Sequence, residues 1–287
     1  MPTETATLRQ HQQALLELLT EFDRVCKELN IPYVLFAGTL LGAVRHGGFI
    51  PWDDDLDVMM LRRDYERFLQ KADGVLNREK FYLQKQFSAH WPMFFSKLRL
   101  NGTTCLEKYH PKDSASHQGV YMDIFPCDNA AKSKFGRKLQ FYSSKVVIAK
   151  ALDARGYDTD SKVKRLFLRL CRILPQKLFL WITTHGNENS SMVHSFLGGA
   201  SQFDKNVYPR CYFEKTVLAR FEGGSFPIPE QFDSLLRTLY GDYMQLPPEE
   251  KRKCKEHAIL VDLNRSYEEY ALYRDGMVFQ NHTRSIR

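Results

Sequence analysis

Gly38-Thr39-Leu40-Leu41-Gly42-Ala43-Val44-Arg45-His46-Gly47-Gly48-Phe49-Ile50-Pro51-Trp52-Asp53-Asp54-Asp55-Leu56-Asp57-Val58 is the passage on which the reading of this chain turns. It follows Tyr33-Val34-Leu35-Phe36, an apolar run with the composition of a first strand. Gly38-Thr39 then opens a short helix over Leu40 to Arg45, and Gly47-Gly48 stops it. Four carboxylates within five positions, Asp53, Asp54, Asp55 and Asp57, repel one another unless a cation sits among them or water solvates them fully. With a strand near Asp55 to Met60, Asp55 and Asp57 share a face, their Cα atoms roughly 6.6 Å apart, while Leu56 and Val58 turn to the core. Two acids on adjacent rungs can meet one Mg²⁺, an ion that takes carboxylate, water and phosphate oxygens. A phosphate cradle is therefore expected nearby. Gly38 permits close backbone approach, Thr39 caps the following helix, and the free N–H groups of its first turn suit an anion.

Such a site calls for a third carboxylate on a neighbouring strand. Asp123 in Val120-Tyr121-Met122-Asp123-Ile124-Phe125 has that setting, and it shares a face with Tyr121 and Phe125. Lys97 and Arg99 share one face of the Phe94 to Leu100 strand, where they would offset diphosphate charge; a solvated strand face is the other reading. Asp-x-Asp also serves nucleotide-sugar glycosyltransferases. Asp53-x-Asp55-x-Asp57 imitates the start of a calcium loop, but Val58 stands where that loop needs glycine and Asp64 where it needs glutamate.

The rest of the chain divides into a mixed α/β front half and a mostly helical back half. Leu8, Leu15, Leu18, Leu19, Phe22, Val25, Cys26 and Leu29 recur with a helical period over residues 8 to 29. Arg62 to Lys71 is an amphipathic helix, and Asn101-Gly102 between Phe94–Leu100 and Thr103–Glu107 predicts a hairpin. Val120 to Phe125 is a strand ending before Pro126. Beyond about residue 130, helices are expected over 133–152, 161–184, 230–240 and 248–258, with Gly- and Pro-rich loops between 222 and 229. The organisation expected is a catalytic core with its N-terminal helix over 1–130 and a mostly helical region over 131–287 that meets the acceptor.

The 287 residues are 43% hydrophobic, 13% aromatic and 26% charged, a globular balance that excludes disorder, collagen and coiled coil. The longest apolar runs, Tyr33 to Ala37 and Leu178 to Ile182, fall far short of the ~20 residues of a bilayer span. The N-terminal residues lack the charged cap and apolar block of a secretory signal, and the six scattered cysteines form no C-x-x-C pair, so reduced cytoplasmic thiols are expected. The formal charge of +7 is local: residues 131–180 hold 13 Lys and Arg against 3 Asp. There Lys162, Arg165, Arg169 and Arg172 make a cationic stripe, and Val163, Phe167, Leu170 and Leu174 an apolar one, on a helix ended near Pro175. Two readings remain for residues 161–184: a core helix with a solvated face, and an interfacial helix on an anionic membrane. A nucleic-acid surface is not indicated, since neither aromatic-basic interleaving nor a groove-reading motif is present.

Gly38-Thr39-Leu40-Leu41-Gly42 followed by Arg45-His46-Gly47-Gly48-Phe49-Ile50-Pro51-Trp52-Asp53-Asp54-Asp55-Leu56-Asp57 strongly resembles the LicD family of phosphotransferases, which includes bacterial phosphocholine transferases and fukutin-related proteins. The likeness continues in Tyr121-Met122-Asp123-Ile124-Phe125-Pro126, Phe221-Glu222-Gly223, Ile228-Pro229 and Tyr240-Gly241-Asp242-Tyr243-Met244-Gln245-Leu246-Pro247-Pro248; residues 131 to 200 are the part least tied to it. The resemblance implies a nucleotidyltransferase-like core, a small mixed sheet flanked by helices. Phosphate would be held at Gly38 and Thr39, and one or two Mg²⁺ ions, or Mn²⁺, at Asp55, Asp57 and Asp123, the catalytic acids. The activity implied is transfer of phosphocholine from CDP-choline to a sugar hydroxyl of a lipid-linked glycan precursor, of teichoic acid or lipopolysaccharide type, with CMP released at the inner face of the membrane. Asp123 is the first candidate base and Asp53 the second. Arg45, Lys97 and Arg99 would offset phosphate charge, and Trp52, Tyr121 and Phe125 are read either as a box for the quaternary ammonium or, as such aromatics more often are, as core. Lys251, Arg252, Lys253, Lys255 and His257 are read either as an acceptor contact or as a solvated helix face. A CDP-ribitol donor, a nucleotide-sugar glycosyltransferase and a non-catalytic choline- or glycan-binding module are the alternatives.

Overall fold

The computed structural model describes residues 5–107, 115–157, 159–187, 189–198, 202–253 and 258–271. Helix α1 (Leu8–Glu28) begins with a capping box in which Thr7 and Gln10 each accept the other's backbone N–H, and it buries Leu15, Leu18, Leu19 and Phe22 on one face. Strand β1 (Val34–Leu35) leads through α2 (Ala37–His46) to β2 (Asp57–Leu61), and α3 (Arg62–Lys71) follows directly. Next come β3 (Phe81–Gln84), β4 (Ser96–Leu100), β5 (Thr104–Glu107) and β6 (Tyr121–Asn129). The back half carries α4 (Lys134–Ala154), α5 (Lys162–Arg172), α6 (Gln176–Thr184), β7 (Met192–His194), β8 (Val207–Pro209), β9 (Thr216–Phe221), β10 (Gly224–Pro229), α7 (Phe232–Tyr240), β11 (Ala258–Asp262) and α8 (Tyr267–Ala271).

The result is the expected mixed α/β architecture. The main sheet runs β1-β2-β6-β4-β3, with β2 and β6 parallel and the other neighbours antiparallel, and the far end of β6 continues into β7 and β8. α1 packs across β4 and β6, and α3 against β2 and β6, so the apolar side chains of the central strands are covered. Leu56, Val58, Leu98, Met122 and Ile124 are fully buried there. Among the described residues no helix is long and apolar enough to cross a membrane.

Several elements depart from what the sequence predicts. Strand β6 does not stop before Pro126 but runs through it, with Pro126 opposite Met60. The N–H of Asp123 points to β2, where it donates to the Leu56 carbonyl at 2.9 Å, so position 126 faces the other side. There β4 has already ended opposite Ile124, and no N–H is needed. Asn101-Gly102 makes a turn, with Gly102 at φ 70°, but no hairpin forms. Both edges of β4 are taken by β3 and β6, so β5 leaves and pairs with β11. The stretch read as a loop between 222 and 229 is instead strand β10, joined to β9 by Glu222 and Gly223, both at positive φ as a two-residue hairpin turn requires. Of the helix expected over 248–258, the described residues show a single 3-10 turn at Glu249–Lys251, and Ala258 already belongs to β11; 254–257 lie outside the described residues.

Candidate active site

The acidic passage is held from three directions. Thr39 lies in the first turn of α2 and is buried; its hydroxyl accepts the N–H of Asp57 at 2.8 Å. It therefore does not cap the helix, whose N-cap residue is Phe36, but pins the start of β2 to α2. Gln12, buried on α1, donates to the carbonyls of Asp53 at 2.9 Å and Ile50 at 3.3 Å, fixing the Pro51-Trp52 turn. Glu222 accepts the N–H of Phe49 at 3.0 Å and pairs with Arg9, while its own N–H donates to the Gly47 carbonyl at 3.0 Å. The β9–β10 turn thus clamps the Gly47-Gly48 corner at which α2 ends, and a Cβ on Gly48 would run into the Glu222 carboxylate. In the sequence Thr39 is read as a cap and phosphate site, Glu222 stands only within the family likeness, and Gln12 is not singled out. Gln12 had a signal, a polar residue inside the apolar stripe of α1.

The β2–β6–β4 register sets Asp57, Asp123 and Lys97 side by side on one rung: Asp57 is opposite Asp123, and Asp123 opposite Lys97. Directly paired residues share a face, so two acids and one ammonium meet there, with Lys97 Nζ 3.2 Å from Asp123 Oδ1. Burial, followed by the neighbouring carboxylates of Asp55, Asp123 and Asp53, pushes the Asp57 pKa well up; Lys97 pulls it partly back. Burial likewise raises Asp123, against the opposing pull of Lys97. Asp55 precedes β2 rather than lying in it. A Cβ on Gly38 would stand 2.7 Å from Asp53 Oδ2 and 3.9 Å from Asp55 Oδ1, so glycine is what lets these acids lie over the first turn of α2.

Asp53, Asp55 and Asp57 form the floor of an open cleft of about 1070 Å³. Ala37, Gly38 and Arg45 of α2 line one side; Tyr240, Asp242, Tyr243 and the segment from Gln245 to Lys253 line the other. Arg45 donates to the Tyr243 carbonyl at 2.7 Å, and its pKa is lowered by burial and by the charge of Arg252. Arg45, Lys251, Arg252 and Lys253 outnumber Asp242 and Glu250 on the opposing lining, so the acidic floor faces a net basic rim. Tyr240 stands between the two: desolvation, then the charges of Asp57, Asp53 and Asp55, raise its phenol above the usual range.

Of the residues expected at the site, Gly38, Arg45, Trp52, Asp55 and Asp57 line the cleft. Asp123 stands on the neighbouring strand, outside the cleft lining, its Oδ1 paired with Lys97. Lys97 and Arg99 are neither on the cleft nor on a solvated face; both are buried to within 2%. Lys97 sits 3.1 Å above the Tyr121 ring centroid and pairs with Glu107 and Asp123, while Arg99 donates to Gln84 and to the Gly119 carbonyl. The expected choline box does not assemble either. The face of Tyr121 is covered by Lys97 and its hydroxyl donates to Glu107, and Phe125 is buried against Phe95. Only Trp52 of the three faces the cleft, where Tyr240 and Tyr243 are the other aromatic linings. Of the C-terminal basic group, Lys251, Arg252 and Lys253 reach the cleft on an irregular segment rather than a helix face; Lys255 and His257 lie outside the described residues.

The donor set on the floor is all oxygen, the chemistry that suits Mg²⁺ or Mn²⁺ and not a soft metal. The close approach that Gly38 allows to the carboxylates of Asp53 and Asp55 fits such an ion. Among the described residues no three His, Cys, Asp or Glu side chains are already grouped closely enough to hold one.

Residues 30–150 match the family model described as LicD/FKTN/FKRP, nucleotidyltransferase domain. The chain is 28% identical over 270 residues to the lipopolysaccharide cholinephosphotransferase LicD of Haemophilus influenzae, an alignment covering 86% of this chain and 95% of that protein. Shorter matches link it to uncharacterised proteins of Rickettsia typhi, 44% identical over 57 residues, and Rickettsia prowazekii, 45% over 51. The first covers 20% of this chain and 18% of that protein, the second 18% and 19%.

Proposed function

We propose, for a chain that carries a LicD-type nucleotidyltransferase domain over residues 30–150, that it is a phosphotransferase moving phosphocholine from CDP-choline to a sugar hydroxyl of a lipopolysaccharide- or teichoic-acid-type glycan precursor, releasing CMP on the cytoplasmic side. The observation that carries the reading is the pairing, in one cleft, of an acidic floor with a basic rim. A cation and a diphosphate together satisfy both, and neither alone does.

Asp55, Asp57 and Asp123 would hold Mg²⁺, which when bound supplies a Lewis acid for the diphosphate oxygens. Arg45 and Arg252 face the negative charge that builds on the departing CMP phosphate. The acceptor oxygen bonds to the phosphorus of phosphocholine as the bond to the CMP oxygen breaks, and the hydroxyl proton must leave. Asp53, on the cleft floor, is better placed to take it than Asp123, which stands on the neighbouring strand outside the cleft lining and is paired with Lys97. Trp52 and Tyr240 offer aromatic faces to the quaternary ammonium, which can donate no hydrogen bond.

The test is transfer of choline-labelled CDP-choline to lipopolysaccharide with CMP release, by wild type and Asp57→Asn. The reading predicts transfer that falls by at least about 100-fold in the variant. Transfer of a sugar from a UDP-sugar, or full activity in Asp57→Asn, contradicts it.

A further inference from the structure

Nine of the seventeen exposed large apolar side chains among the described residues lie on three helices, α4, α5 and α6, and a tenth, Ile173, caps the end of α5. Helix α5 carries the largest share of them. Its buried side is narrow, Leu168 and Cys171 against Val146 and Ala149 of α4, and Lys150 ties its end by donating to the Cys171 and Arg172 carbonyls. Val163 at 79% exposure and Ile173 at 82% stand almost wholly in solvent, and Leu166, Phe167 and Leu170 are at least 45% exposed. At about 100° per residue, those five occupy one arc, Leu168 and Cys171 a second, and Lys162, Arg165, Arg169 and Arg172 a third. The apolar stripe read from the sequence is therefore not a core stripe: most of it points outward. On α6 Leu178 and Trp181 are exposed in the same way, and on α4 Phe135, Leu139 and Tyr142 follow at helical spacing.

We infer that this face docks on an anionic lipid bilayer, with the apolar arc of α5 and Trp181 entering the headgroup boundary and the adjoining lysines and arginines meeting lipid phosphates. A soluble surface seldom carries so much contiguous-helix apolar exposure without a partner. Charge decides which partner. Residues 131–180 hold 13 basic and 3 acidic side chains, so two copies of this face repel each other, whereas an anionic membrane complements it. A helix with separate apolar and cationic arcs is built to lie in an interface and not to cross it. The inference does not depend on the chemistry of the cleft.

The experiment is co-sedimentation of the full chain with phosphatidylcholine vesicles, with and without about one-third phosphatidylglycerol. It is read together with quenching of tryptophan fluorescence by brominated acyl chains. Wild type is expected to bind the anionic vesicles, to be quenched on them, and to be released by salt only in part. Leu170→Glu with Ile173→Glu should cut the bound fraction at least about fivefold with an unchanged melting curve; Val163→Glu repeats the test should the pair unfold. Equal binding of wild type and variants, or none to anionic vesicles, overturns the inference. A dimer in solution that the same substitutions dissociate, with no vesicle binding, overturns it in favour of a second copy as the occupant.

Discussion

At the scale of single residues, the acidic pattern was legible because it is local. Alternation placed Asp57 on the functional face and Val58 in the core, and the same argument found Asp123 one strand away. Lys97 and Arg99 are read from the sequence as cations offsetting diphosphate charge or lying on a solvated strand face, whereas both are buried. Their partners, Trp91, Glu107 and Tyr121, come from three other segments, and burying two charges needs all of them. Because folding raises the Asp57 pKa, the ion-free protein gains stability from this group as pH falls through the raised value toward the ordinary carboxylate range. Asp57→Asn should supply that gain at pH 7, about 1–3 kcal/mol. Thermal melts of both proteins against pH check this: the advantage of the variant is expected to shrink as the solution is acidified. An advantage that does not change with pH would mean that Asp57 is not charged against its surroundings.

At the scale of elements, local turn chemistry told where the chain bends but not what it bends toward. Asn101-Gly102 makes its turn, and strand pairing is then decided by which edges are still open. Residues 222–229 looked like loop from their Gly and Pro content, and nothing local showed that Glu222 reaches the corner after α2, more than 170 residues earlier. Removing that reach should cost more than its exposed ion pair suggests. Glu222→Ala leaves the N–H of Phe49 without its acceptor and is expected to destabilise by about 1–3 kcal/mol. Glu222→Gln keeps an acceptor there and gives up only the pairing with Arg9, an exposed bridge worth under about 1 kcal/mol. Denaturant unfolding of the two variants separates these cases; equal losses would remove the clamp from the account.

At the scale of the whole molecule, the cleft is a meeting of both ends of the sequence. Its floor comes from residues 38–57 and its far wall from 240–253, and no local signal in the second stretch foretold the first. The whole fold should also show its buried histidines in acid. Burial lowers His194 to about 4, and burial with the charge of Arg99 lowers His117 to about 3, while each titrates near 6.5 when unfolded. The unfolded state therefore binds more protons below that value, and stability should fall with pH by up to about 1.4 kcal/mol per unit for each group. Urea midpoints between neutrality and pH 4 measure it, and His194→Gln is expected to flatten the profile. The central claim, one cleft built for a cation and a CDP-alcohol together, is tested most directly by calorimetric titration. CDP-choline, CDP-ribitol and a UDP-sugar are titrated into wild type and Asp55→Asn, with and without Mg²⁺. The account predicts binding of CDP-choline that requires Mg²⁺ and is lost in Asp55→Asn; selective binding of the UDP-sugar, or no nucleotide binding in the presence of Mg²⁺, would contradict it.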